Sequence, residues 1–271
     1  MVNGHPTDAI DSLSLNLEIL NPQGVLSNDL FQIEVQSVNE LTAIDGTGML
    51  ASQSEGSAII LFIPERGAAP TIPISYSFGG SISYLDPYSN LMVTVPLIPA
   101  VLQVNPSPDL YLHYFMQRDI YGDDPLTDAI EPIIPGELAV MIENNGYGEA
   151  MSVLIESAQP EIVDNEKGLA INFNLIGSNL QGERANLGLN NITFGDIPPQ
   201  STRLGQWYFT SSLLGHFINY ETNLVHLSSY GNPDLSLISG VELHESIPTI
   251  EVYTQDDGLD DFLVNEIQDA N

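Results

Sequence analysis

Apolar and polar residues alternate with a period of two along most of this chain, the mark of half-buried β-strands. The pattern is clear over residues 12–20 (SLSLNLEIL) and 30–38 (LFQIEVQSV), with a turn at Pro22-Gln23-Gly24 between them. Residues 42–48 read as a turn-rich corner. Residues 56–63 (GSAIILFI) are almost continuously apolar, which predicts a strand buried on both faces. Residues 71–85 (TIPISYSFGGSISYL) hold two strand-like halves about Phe78-Gly79-Gly80, either a hairpin or one long strand with a glycine bulge. Residues 91–104 (LMVTVPLIPAVLQV) follow, and Pro96 and Pro99 assign them to a sheet edge.

A stiff Asn105-Pro106-Ser107-Pro108 linker precedes a second set of strands. Residues 137–143 (ELAVMIE) and 150–156 (AMSVLIE) alternate on either side of Asn144–Gly148. They read as a hairpin whose Asn145-Gly146 pair suits the positive φ of a tight turn. Further strands are expected over residues 168–176, 192–197, 205–212, 216–227, 235–241 and 249–253, with a weak helical signal at 124–130. The predicted fold class is all-β: two tandem antiparallel β-sandwiches, residues 8–104 and 109–254, followed by an acidic linker or tail at 255–271.

Composition adds one strong constraint. The 271 residues include 36 Asp plus Glu against 5 Lys plus Arg, a formal net charge of −31. With only Arg66, Arg118, Lys167, Arg184 and Arg203 available, there is no basic patch for nucleic acid or for an anionic membrane surface. Self-repulsion on this scale calls for high salt, divalent ions or a cationic partner, which fits an extracellular medium. Cysteine is absent, so disulfides and thiolate metal sites are excluded. No apolar run approaches the length of about 18 residues that a spanning helix needs, so no membrane insertion is expected. Met1–Asp8 lacks the basic and apolar regions of a signal peptide, so an exported protein of this sequence would be a piece of a longer chain.

The densest candidate chemistry is the carboxylate group Asp119, Asp123, Asp124, Asp128 and Glu131. Calcium takes six to eight oxygen ligands from such loops, although the spacing is not that of an EF-hand. A solvated acidic loop is the plainer account. Arg118 beside these acids is expected to hold the loop by pairing with Asp123 or Asp128. Asp256, Asp257, Asp260 and Asp261 form a second, poorer candidate. The histidines His5, His113, His216, His226 and His244 are scattered, with no local zinc motif, and read as strand or surface residues. Trp207, Tyr111 and Tyr114 are candidates for a sugar-stacking face; alternation puts Trp207 and Phe209 on one side, where core packing is the plainer account. Lys167, beside Asn165 and Glu166, is a weak candidate for a side-chain cross-link. Asn191-Ile192-Thr193 is a glycosylation acceptor pattern. No nucleophile elbow, phosphate loop or catalytic acid pair is recognisable, so no enzyme is expected.

The stretch ELAVMIENNGYGEAMSVLIES, followed later by FGDIPPQSTRLGQWYFTS, resembles CARDB-like and related immunoglobulin-like modules. Asn145-Gly146, Ala150 and Gly195-Asp196-Ile197-Pro198 hold the places of that pattern, and Pro199-Gln200 departs from its usual glycine. The resemblance implies immunoglobulin-like sandwiches in a large secreted or cell-surface protein, with no catalytic residues to carry over. The expected work is spacing, adhesion or fibre assembly, stiffened by calcium, with neighbouring modules or copies of the same protein as partners. Apolar strand ends such as residues 97–104 would make the contacts. The alternatives are a carbohydrate-binding module that engages cell-surface glycans, and a hydrolase with an unrecognised acid pair.

Overall fold

The computed structural model describes residues 1–124, 126–155, 172–184, 192–216, 235–250 and 259–265, with residues 216 and 248–250 described by backbone alone. The fold is all-β: among the described residues there is no α-helix, and short 3-10 turns occur at Asn28–Leu30 and Arg66–Ala68. The chain divides into two compact units, Met1–Pro106 and Ser107–Asn271.

The first unit contains β1 (Ile10–Leu20), β2 (Phe31–Asn39), β3 (Asp45–Leu50), β4 (Ser57–Pro64), β5 (Ile74–Leu85), β6 (Met92–Pro96) and β7 (Ala100–Val104). Its larger sheet runs β3-β1-β5. On the far side of β5, β6 pairs with residues 81–85 and β7 with residues 74–78, all antiparallel. β2 and β4 make a separate antiparallel ribbon. Between ribbon and sheet lie Ile19, Phe31, Tyr76 and Val104, flanked by Ile33, Phe62 and Phe78. Phe31 meets Tyr76 and Phe78 edge-on at 5.0 and 5.4 Å, the arrangement the ring quadrupoles favour. The buried Tyr76 hydroxyl donates to the Ala68 carbonyl at 2.7 Å.

The structure decides between the two readings of residues 71–85 and corrects other expectations. β5 is one long strand, and Gly80 serves close approach: at φ +125°, a Cβ there would lie 1.9 Å from the Asn16 carbonyl oxygen. The corner at residues 42–48 gives way to β3 from Asp45 onward. β4 is not buried on both faces. It belongs to a two-stranded ribbon with a sheet on one side only, and Ile59 points outward at 53% exposure. The first residues also join the unit: Val2–Asn3 pairs with Ser54–Glu55, and the buried Asn3 amide donates to the Leu50 and Ala51 carbonyls.

The second unit contains β8 (Leu110–Gln117), β9 (Gly136–Asn144), β10 (Ala150–Ile155), β11 (Phe173–Leu180), β12 (Ile192–Ile197), β13 (Ser201–Ser211), β14 (Ile238–Ile250) and β15 (Asp261–Val264). The large sheet has the order β11-β13-β9-β8-β14-β15, with Glu183–Arg184 adding a two-residue strand outside β11. β10 and β12 form the facing ribbon. The core lies between them: Leu112, Leu138, Val140, Ile142, Trp207 and Phe209 from the sheet against Ala150, Ile192, Phe194 and Ile197 from the ribbon.

Two departures from the predicted topology matter for function. β8 and β14 pair in parallel, so the sheet is not purely antiparallel. The expected hairpin at residues 137–156 does not form: β9 pairs with β8 and β13, while β10 crosses to the ribbon and pairs with β12. Buried Asn144 pins that crossing. Its amide donates to Gly148, Ile197 and Pro198 carbonyls, and its Oδ1 accepts from the Asp109 and Gly146 backbones. Gly146 does not have positive φ; a Cβ there would lie 2.5 Å from the Asp109 nitrogen. β14 is continuous across residues 242–248, between the two short strands expected from sequence. Where an acidic tail is expected, Asp261–Val264 adds to the sheet. Residues 124–130 form turns and bends around the undescribed Pro125, and the strand expected at 216–227 lies almost wholly outside the described residues.

Candidate functional site

Alternation along β8 sends Leu110, Leu112 and Met116 into the core and Tyr111, His113 and Phe115 to the opposite face of the sheet. The neighbouring registers fix what surrounds them. On β9, Glu143, Met141 and Ala139 stand opposite Tyr111, His113 and Phe115; on β14, Gly240, Glu242 and His244 do. One face therefore carries three short rows that bring together residues about 130 positions apart. A register shift between Leu110 and Tyr111 sets this phase, and the nearby Ser239 hydroxyl donates to the Leu110 carbonyl at 3.2 Å. Gly240 has a specific reason to lack a side chain. A Cβ would lie 2.3 Å from the Tyr111 ring, which occupies that space.

Within this grid His113 Nδ1 and His244 Nε2 are 3.0 Å apart. Glu242 Oε2 lies 3.4 Å from the first and 3.6 Å from the second. Among the described residues, this is the single group of His, Asp or Glu side chains whose ligand atoms all fall within 4.8 Å of one another. The Tyr111 hydroxyl bonds to Glu242. That bond, with partial desolvation and the charges of Glu242 and Glu143, raises the Tyr111 pKa above its usual 10.0. His113 Nε2 faces Glu143 Oε2 at 3.8 Å. Stacking locks the rings: His244 lies 4.9 Å from Phe115, and Phe115 lies 4.4 Å from Phe262 of β15.

The acidic loop is arranged differently. Asp119 pairs with Arg118 at 3.2 Å, and Arg118 also reaches Glu245 at 3.4 Å, so its partners are not the expected Asp123 or Asp128. Asp123 Oδ1 accepts the Glu131 backbone N–H, and Glu131 Oε2 accepts that of Asp124. Thr127 adds a hydroxyl bond to Glu131 Oε1 at 2.7 Å. These bonds close the loop on itself and hold the Glu131 carboxyl below its usual 4.5. The loop carboxylates, Asp128 included, do not converge as a ligand group.

The aromatic candidates divide. Trp207 is fully buried in the core beside Phe209, its indole N–H without an acceptor among the described residues, so it offers no face to a sugar. Tyr114 packs against the same core, whereas Tyr111 belongs to the histidine–glutamate group. Asp260 accepts from the buried Gln206 amide at 2.7 Å, and the same amide nitrogen donates to Glu137 at 2.6 Å, tying β15 to the sheet. Lys167, Asn165, Glu166, Asn191, His226, Asp256, Asp257 and the His216 side chain lie outside the described residues.

A second feature belongs to the first unit. β6 and β7 together form the outer edge of its large sheet. Leu91, Met92, Val95, Ile98, Val101 and Leu102 are exposed along it, Ile98 at 95% and Val101 at 69%. Between Arg66 and Asp109 the only charged residue is Asp86.

No protein-family model, curated protein or solved structure matches the chain.

Proposed function

We propose that this protein is a non-enzymatic structural module, immunoglobulin-like in build and extracellular in setting, that joins a second copy of itself through the β6–β7 edge. The observation that carries the reading is the chemistry of that edge. Sheet edges present unpaired N–H and C=O groups, and proteins usually blunt them with charge or by keeping them short. Here the edge, made of two five-residue strands, is apolar and free of charge. Two chains of net charge −31 meet at least cost where neither brings a carboxylate, and residues 87–108 are such a place. Pro96 and Pro99 interrupt the edge only at its middle, leaving Met92–Val95 and Ala100–Val104 to pair. Covering an exposed Ile or Val side chain contributes about 1.5–3 kcal/mol, so a few suffice for a stable contact. The charge supports the extracellular setting, since it needs the screening an ion-rich medium supplies.

Sedimentation equilibrium across concentration and salt tests this. Self-association that strengthens with salt, as repulsion is screened, and is lost in Val101→Glu is the expected result. A chain that stays monomeric at high concentration in molar salt, or a variant that associates as the native chain does, overturns it.

A further inference from the structure

The geometry points to a binding site for a divalent transition cation of the zinc class at His113, Glu242 and His244. The three ligand atoms are separated by 3.0, 3.4 and 3.6 Å. Atoms so spaced lie on a circle of radius about 1.9 Å, so a point at the usual Zn–N and Zn–O length of about 2.0–2.1 Å from all three sits just off their plane. Tetrahedral bonds of that length put neighbouring ligands about 3.3 Å apart, close to the mean of the observed separations.

The surroundings match what a metal ligand set requires beyond its donors. A metal-bound imidazole commonly has a carboxylate at its other ring nitrogen, and Glu143 stands 3.8 Å from His113 Nε2. A ligating carboxylate is commonly hydrogen-bonded in turn, and Tyr111 does this for Glu242. The side chains of His113 and His244 are 17% and 14% exposed, but that of Glu242 is 52% exposed. The ion would therefore enter from the Glu242 side, and water would complete its coordination.

The donor types also choose the ion. Calcium and magnesium prefer oxygen ligands, whereas imidazole nitrogens favour zinc, copper and nickel. Among the described residues, this is the one group of ligand atoms that offers two ring nitrogens with a carboxylate. The rival account is a plain N–H···N bond between the two rings, which needs neither Glu242 nor a metal.

Calorimetric titration of the EDTA-stripped full chain with Zn²⁺, in excess Mg²⁺ at fixed ionic strength, decides between them. One Zn²⁺ per chain is expected, with binding weakened tenfold or more in His244→Gln and in Glu242→Gln. Asp123→Asn in the acidic loop should leave it unchanged. Melting curves in EDTA show whether each variant remains folded. Co²⁺ bound to the native chain needs no variant: intense visible bands of a low-symmetry, nitrogen-containing site are expected. Diffuse binding of several ions, equal in native and variant chains, or a Co²⁺ spectrum like that of the aquo ion, overturns the assignment.

Discussion

The two large sheets end in opposite ways. In the second unit, Glu183–Arg184 closes one edge and Asp261–Val264 the other; both strands are short and both carry charge. That is how a sheet avoids unwanted partners. In the first unit, β6 and β7 close the edge with exposed Val, Leu, Met and Ile and no charge at all. Within one acidic chain, one sheet is guarded and the other left open. The difference is in placement rather than overall composition: β6 and β7 carry no carboxylate, whereas each edge strand of the second unit carries one.

Four expectations would sharpen or break this contrast. The largest concerns cohesion. Trp207→Ala should cost the second unit about 3–5 kcal/mol in denaturant unfolding while leaving self-association intact. Loss of both would mean that the second unit, not the first, makes the contact. Next, Gln206→Leu removes the amide that joins Glu137 to Asp260 and should cost about 1–3 kcal/mol. With β15 loosened, amide exchange along β14 should quicken, and the exposed strand should associate more readily. Third, Asp261→Val together with Glu183→Val and Arg184→Val strips the charge from the guarded edges, and association should rise by roughly tenfold at most.

The smallest effect is in pH. Association through an uncharged edge should strengthen as the chain nears its isoelectric point of about 4.1, because only the overall repulsion titrates. Glu131 moves the other way. Its folded pKa is lowered by the bonds from Asp124 and Thr127, so its contribution is present above the usual 4.5 and fades as pH falls through the lowered value. An NMR titration midpoint at or above 4.5, or an unchanged acid limb in Glu131→Gln, would refute it.

Much of the architecture was legible in the alternation of side chains. β1, β2, β9, β12 and β13 lie where residues of period two predict them, and so does the burial of Trp207 beside Phe209. What escaped was partnership. The ELAVMIE and AMSVLIE segments look like a hairpin because they are adjacent and alternate; the bonds of Asn144 that send them into different layers are long-range. The histidine group escaped for the same reason. Residues 242–248 contain Glu, His and Pro and read as an interruption, whereas the sheet carries them as the middle of β14. Only the parallel register sets His244 beside Phe115, and within reach of His113, and nothing local encodes a pairing between strands 130 residues apart. The single hint is the Leu-His pair shared by LYLHYF and VELHES.

That parallel pairing has a mechanical consequence. Because β8 and β14 run in the same direction, the start of the first and the end of the second lie at opposite ends of the pair. Tension applied through those two points slides one strand along the other. Their hydrogen bonds are then loaded together in shear, whereas the four-residue β15, antiparallel to β14, can peel away bond by bond. His113 on one strand, with Glu242 and His244 on the other, straddles this loaded seam, so an ion held there would act as a rivet.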